Sequence, residues 1–158
     1  MSWLTTTTIG KMIYAFFISM VPVIELRGGL PLAIAHGLPL YLAVPVCILG
    51  NMVPVPFIII FIKKIFAWMR RYWPWMDRVV TAMETRAENK RDVVERYGPW
   101  GLLLFVAIPA PGTGAWTGAL IAAIMDMKLK QAVPIIFFGV CIAAAIMAAA
   151  TLGVIHLF

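Results

Sequence analysis

Glu25 and Arg27 are the only charged residues between Lys11 and Lys63, in a stretch that is otherwise apolar. An ionisable side chain inside a membrane costs at least about 2.5–3.5 kcal/mol on insertion scales, so it persists by pairing, by lining a wet cavity or by binding something. A guanidinium offers a fork of donors that fits a phosphate, and a neighbouring carboxylate can orient it or take up a coupling proton. Two residues apart, the pair does not share a face of a regular helix. With Gly28 and Gly29 opening the backbone, the two side chains are expected to converge. A substrate site and a purely structural ion pair both fit this pattern. The structural pair would be replaceable by apolar packing at little cost.

A second constellation carries no charge. It reads Pro109-Ala110-Pro111-Gly112-Thr113-Gly114, followed by Trp116, Thr117 and Gly118. Glycine-rich backbone ahead of a helix start presents unpaired N–H groups to an anion. Thr113 and Thr117 add hydroxyls. Half-helices starting at Gly28–Leu32 and at Gly114–Gly118 are expected to face one shared site. The candidate substrate-binding residues are therefore Glu25, Arg27, Gly28, Gly29, Gly112, Thr113, Gly114, Trp116 and Thr117. The glycines equally fit close helix packing, a common use of small residues in membranes. No Walker loop, HExxH, CxxC or Ser/His/Asp pattern is present in the sequence, so neither an enzyme nor a cofactor or metal is expected. His36 and His156 fall at segment ends. Cys47 and Cys141 read as small buried residues rather than a disulfide.

The elements that must position these residues are apolar. Of 158 residues, 63% are apolar and 13% charged, with a mean hydropathy of +0.94. Soluble domains carry about 25% charge. Leu40–Ile62 and Gln131–Leu157 are long enough to span a bilayer, which needs about 20 helical residues. Ile9–Ile24, Leu30–Ala35, Pro99–Ile108 and Ala115–Met125 are shorter runs around Gly/Pro breaks. Ala43-Val44-Pro45 with Gly50 recurs as Ala132-Val133-Pro134 with Gly139, an offset of 89 residues that also aligns Pro22 with Pro111 and Gly29 with Gly118. Two similar halves, each with a broken apolar segment, point to a repeat-built transporter.

The expected fold is an all-α polytopic membrane protein built as an inverted repeat. Each half is a re-entrant helical hairpin plus a transmembrane helix, and an amphipathic interfacial helix joins the halves. The chain is one membrane domain, with repeat 1 at about 9–62, the connector at 63–97 and repeat 2 at about 98–158. The connector holds nine Lys/Arg against five Asp/Glu of a chain whose net charge is +6. Met76, Val79, Val80, Met83, Ala87, Val94 and Tyr97 recur at helical spacing, and Arg91–Glu95 and Asp92–Arg96 are i, i+4 pairs. Trp68, Tyr72, Trp73 and Trp75 are aromatic-belt residues. The basic block suits an anionic cytoplasmic leaflet rather than nucleic acid. Placing Lys128 and Lys130 on the same side as the block requires the second hairpin to re-enter. Both termini and the His36–Pro39 turn are then outside. The N-terminal stretch lacks a basic region and a cleavage site, so it does not read as a signal peptide.

The segments Glu25-Leu26-Arg27-Gly28-Gly29-Leu30-Pro31 and Ile108–Gly118 resemble the two signature segments of the small multi-drug export protein family, with the likeness extending over about 10–157. That family is in turn similar to the DedA, or VTT-domain, superfamily. The resemblance implies inverted re-entrant hairpins and transport of lipids, including polyprenyl-phosphate carriers. The chain departs from those relatives in placing Trp116 and Thr117 where a second basic residue is expected. The leading expectation is a secondary transporter or flippase of an anionic lipid such as undecaprenyl phosphate, coupled to protons or sodium and acting as a homo-oligomer. The alternatives are a proton-coupled exporter of small cations, with Glu25 exchanged, and a membrane-organising protein that transports nothing.

Overall fold

The computed structural model describes residues 6–110 and 112–157. Ser2 and Phe158, on which the outside placement of the termini rests, and Pro111 of the second break lie outside the described residues. Among the described residues every regular element is helical: α1 Thr8–Met20, α2 Glu25–Ala35, α3 Leu40–Met52, α4 Pro54–Tyr72, α5 Asp77–Tyr97, α6 Pro99–Ala107, α7 Ala115–Ile124 and α8 Leu129–Leu157, with a 3-10 turn at Pro74–Met76. Two stretches, Leu40–Tyr72 and Leu129–Val154, are long and apolar enough to cross a membrane.

Local chemistry sets the boundaries. Thr7 Oγ1 accepts the Gly10 N–H at 3.1 Å and caps α1. Val21 is extended at the end of α1, as a residue preceding proline prefers. Pro54 opens α4 at a first-turn position, where its missing N–H removes nothing. α2 begins at Glu25 rather than at Gly28, because Glu25 takes a left-handed φ of +49° and the Gly28 N–H already bonds the Ile24 carbonyl at 2.9 Å. The backbone is therefore not opened at Gly28 and Gly29. The span expected to stop at Ile62 continues as helix to Tyr72. Lys and Arg are good helix formers, and Arg70 and Arg71 in the last turn suit the helix dipole. The connector proper is α5, whose Val80, Ala87 and Val94 are buried. Arg91 and Glu95 pair at 2.5 Å. Asp92 and Arg96 do not pair, and an exposed pair of this kind gains little.

The 89-residue offset persists in the backbone. α2 ends in a turn in which Leu38 N–H bonds Ala33 O at 3.0 Å and Gly37 N–H bonds Ile34 O at 2.8 Å. α7 ends in the same turn, Met127 to Ala122 at 2.9 Å and Asp126 to Ala123 at 3.2 Å. Gly37 and Asp126, equivalent residues, both take positive φ, +76° and +53°. This is a Schellman stop written twice. α3 and α8 then start at the equivalent residues Leu40 and Leu129, and each contains a proline, Pro45 and Pro134. α3 packs on α1 as α8 packs on α6. A Cβ at Gly50 would lie 2.3 Å from the Phe16 carbonyl, and one at Gly139 3.1 Å from the Leu103 carbonyl.

α1 and α2 run antiparallel. Gly37, just past α2, lies against Lys11 near the start of α1, and Tyr14 meets His36 with tilted rings 5.2 Å apart, while Gly29 rests on Ser19 at the other end. The beginning of α1 and the end of α2 thus sit together, and the break between them forms a tip. α5 packs against both α6 and α7. Lys63 of α4 bonds Asp126, in the turn after α7, at 2.7 Å.

Candidate functional site

The tips of the two halves meet, and Glu25 and Arg27 of the first half are spent on the second. α6 ends at Ala107 and passes into a break that includes Pro109. Carbonyls here lack helical partners, and a cation near a helix C-terminus is favoured. Arg27 supplies it. Its Nη1 donates to the carbonyls of Ala110, at 2.5 Å, and Thr113, and its Nη2 donates to the carbonyl of Ile108 and the hydroxyl of Thr113, both at 2.8 Å. The Thr113 hydroxyl in turn lies 2.7 Å from the carbonyls of Ile108 and Ala110 and shares its single proton between them.

Glu25 works at the other end of the same break. It is 6% exposed, and its Oε1 accepts the Trp116 N–H at 3.2 Å. That N–H belongs to the first turn of α7, whose N-cap residue, Gly114, has no side chain to offer. Glu25 is thus an N-cap supplied from the opposite half. The arrangement requires glycine at 114. Its φ is +142°, and a Cβ there would lie 2.1 Å from Glu25 Oε2. Glu25 and Arg27 form no ion pair with each other. Each points at a separate part of the second break.

Trp116 reciprocates. It stands 89 residues after Arg27, and its indole Nε1 donates to the Met20 carbonyl at 3.1 Å, at the end of α1. So the residue at this position in each half satisfies the C-terminal end of the other half's first helix. Where the resemblance led one to expect a second basic residue, Trp116 offers a neutral donor, and it is spent on the Met20 carbonyl.

Of the nine residues singled out by sequence, Glu25, Arg27, Thr113, Gly114 and Trp116 meet at the tips. Gly28 and Gly29 face Ile24 and Ser19 and serve packing. Gly112 and Thr117 face elsewhere: with Arg86, Asn89 and Lys90 of α5 they line a cleft of about 410 Å³. The sequence reading missed these three α5 residues. Their signal is the i, i+3, i+4 spacing, which puts one amide and two cations on a single face of the connector. Trp116 also lines an apolar groove of about 470 Å³ whose other walls are α4 residues.

Among the described residues the chain is all-helical, and its two membrane-length apolar helices fit a membrane protein. A family described as "Putative small multi-drug export protein" matches residues 25–146, and the chain belongs to it. This is an export family and not an enzyme family. No curated protein matches the chain, and no solved structure does. The match covers both tip motifs and does not extend to the DedA superfamily.

Proposed function

We propose that this protein is a secondary membrane transporter that moves an anionic lipid phosphate, a polyprenyl phosphate being the leading substrate, by opening and closing the contact between its two tips. In this reading each helix–break–helix pair is a re-entrant hairpin, the halves are inverted, α5 lies at the cytoplasmic surface, and the tips meet at mid-membrane. The reciprocal contacts of Arg27 and Trp116 support a two-fold relation between the halves, and with one hairpin and one full crossing per half that relation is an inverted one. The Lys63–Asp126 bond supports re-entry of the second hairpin, because it holds the turn after α7 level with the start of the basic block.

The observation that carries the substrate choice is the partner set of Arg27. All its acceptors are neutral oxygens of the opposite half. A phosphate competes well for such a guanidinium, because it adds the attraction of opposite full charges and a fork-to-fork, bidentate fit that single neutral carbonyls do not offer. Taking Arg27 from the break releases Ile108, Ala110 and Thr113 and unlocks the tips. The family description suggests export of drugs, and a cation exporter would use Glu25. That carboxylate is buried and committed to the start of α7, which favours the anion. Proteoliposomes loaded separately with a polyprenyl phosphate and with an ethidium-like cation test this. Transport of the phosphate is expected. Transport of the cation alone would replace this reading with the exporter.

A further inference from the structure

We infer that the cleft between α5 and the second break is a separate binding site for a phosphate-bearing lipid headgroup, with the apolar groove along α4 receiving its chain. The inference rests on the anionic-lipid reading above and adds where the lipid first docks. Arg86 and Lys90 lie one helical turn apart with Asn89 between them, and all three face Gly112 and Thr117 across the cleft.

Neither cation is neutralised. Among the described residues the ion pairs are Lys63–Asp126, Arg70–Asp77, Arg70–Glu84 and Arg91–Glu95, so Arg86 and Lys90 have none. The acids of this part of α5 turn the other way. Glu84 and Glu88 line a different cleft, facing Lys63 and Arg70 of α4. The charges of α5 are thus sorted by face, and the face toward the break is basic with no carboxylate in its lining. Two cations, a side-chain amide and the Thr117 hydroxyl converge on a space of about 410 Å³, within the usual range for ligand sites. Such a donor set with no acid fits the terminal oxygens of a phosphate.

The groove decides between a lipid and a free anion. Thr117 lines the cleft, and its neighbour Trp116 lines the groove with Phe57, Phe61 and Ile65. α7 packs against both α4 and α5. A basic cleft and an apolar channel therefore flank the same first turn of α7, one suited to a headgroup and the other to a hydrocarbon chain.

The test uses the full chain in neutral detergent, with dioctanoyl phosphatidic acid, dioctanoyl phosphatidylcholine and inorganic phosphate as probes in parallel binding titrations. Phosphatidic acid should bind at least tenfold more tightly than either of the others. Arg86→Gln with Lys90→Gln should weaken it tenfold or more without moving the thermal midpoint. Arg78→Gln removes a charge from the same helix outside this cleft and should change affinity less than twofold. Phe61→Ser should weaken phosphatidic acid but not phosphate. Equal losses from Arg78→Gln and from the Arg86/Lys90 pair would reduce the site to diffuse interfacial charge and overturn it. Phosphate binding as tight as phosphatidic acid, insensitive to Phe61, would overturn the lipid assignment. If phosphatidic acid shows the expected pattern but no anionic lipid is transported, the transport reading fails and this site stands. If lipid is transported and the Arg86/Lys90 variant binds like the wild type, this site fails and the transport reading stands.

Discussion

Arg27 and Trp116 stand 89 residues apart, at equivalent positions of the two halves, and each donates to the carbonyl end of the other half's first helix. Arg27 reaches Ile108 and Ala110 beyond α6, and Trp116 reaches Met20 of α1. Glu25 and Gly114, also equivalent, lie directly against each other. In the proposed inverted arrangement, equivalent residues that touch in this way sit near the two-fold axis. The meeting point of the tips is therefore where the relation between the halves is closest.

Gly114→Ala should be among the most damaging small substitutions in the chain. It places a Cβ on the Glu25 carboxylate and forces an L side chain into a φ of +142°. The expected loss is about 2 kcal/mol or more, by the usual cost of backbone strain at such a position. Thermal unfolding in detergent measures it. Adding Glu25→Ala should recover the steric part and leave the φ part. A Gly114→Ala protein as stable as the wild type would contradict the tip geometry.

Glu25→Gln keeps an oxygen that can accept the Trp116 N–H, whereas Glu25→Ala does not. As an N-cap, Glu25 should tolerate Gln within about 0.5 kcal/mol and lose about 1–2 kcal/mol to Ala. Transport should follow the same order. Glu25→Gln dead at every pH yet stably folded would mean that the carboxylate proton itself is used, and capping would not be its main role.

Asp126 takes the left-handed position that Gly37 fills in the first half. Asp126→Gly should keep the fold, losing only an exposed pair with Lys63 worth about 0–1 kcal/mol. Asp126→Val should cost a further 1–2 kcal/mol, roughly the penalty of this backbone region for a side chain with a branched Cβ. A Val variant equal to the Gly variant would remove the equivalence of the two turns.

Much of the fold was legible because its signals are local. Pro22, Pro109 and Gly112 mark where α1 and α6 must stop, the apolar runs give the two spans, and the sorted charges of 77–97 give α5. The site was legible as a set of residues but not as a set of contacts. Gly28 and Gly29, read as opening the backbone, suggested that Glu25 and Arg27 converge despite a spacing that separates them on a regular helix. Instead both cross to the other half, because the non-helical carbonyls of the second break and the first-turn N–H of α7 are better partners than an ion pair two residues away. The role of Trp116 was hidden for the same reason: its acceptor, the Met20 carbonyl, is a backbone group 96 residues distant that no residue type announces.

Topology can be read by cysteine labelling in a background with Cys47 and Cys141 replaced. A label at His36 should react from outside, and labels at Arg91 and Lys128 from inside. Arg91 and Lys128 on opposite sides would remove the re-entrant second hairpin and with it the inverted repeat.

The central claim is that Arg27 exchanges the carbonyls of the second break for a substrate phosphate. The direct measurement is polyprenyl-phosphate transport in proteoliposomes by Arg27→Gln and by the double variant Glu25→Leu/Arg27→Leu, each checked for folding. Both should lose transport by tenfold or more, since neither variant supplies a guanidinium; the double variant should also unfold at a lower temperature, because it leaves the carbonyls of the break and the Trp116 N–H without these partners. Full transport by a folded double variant would reduce Glu25 and Arg27 to a structural clasp and contradict the account.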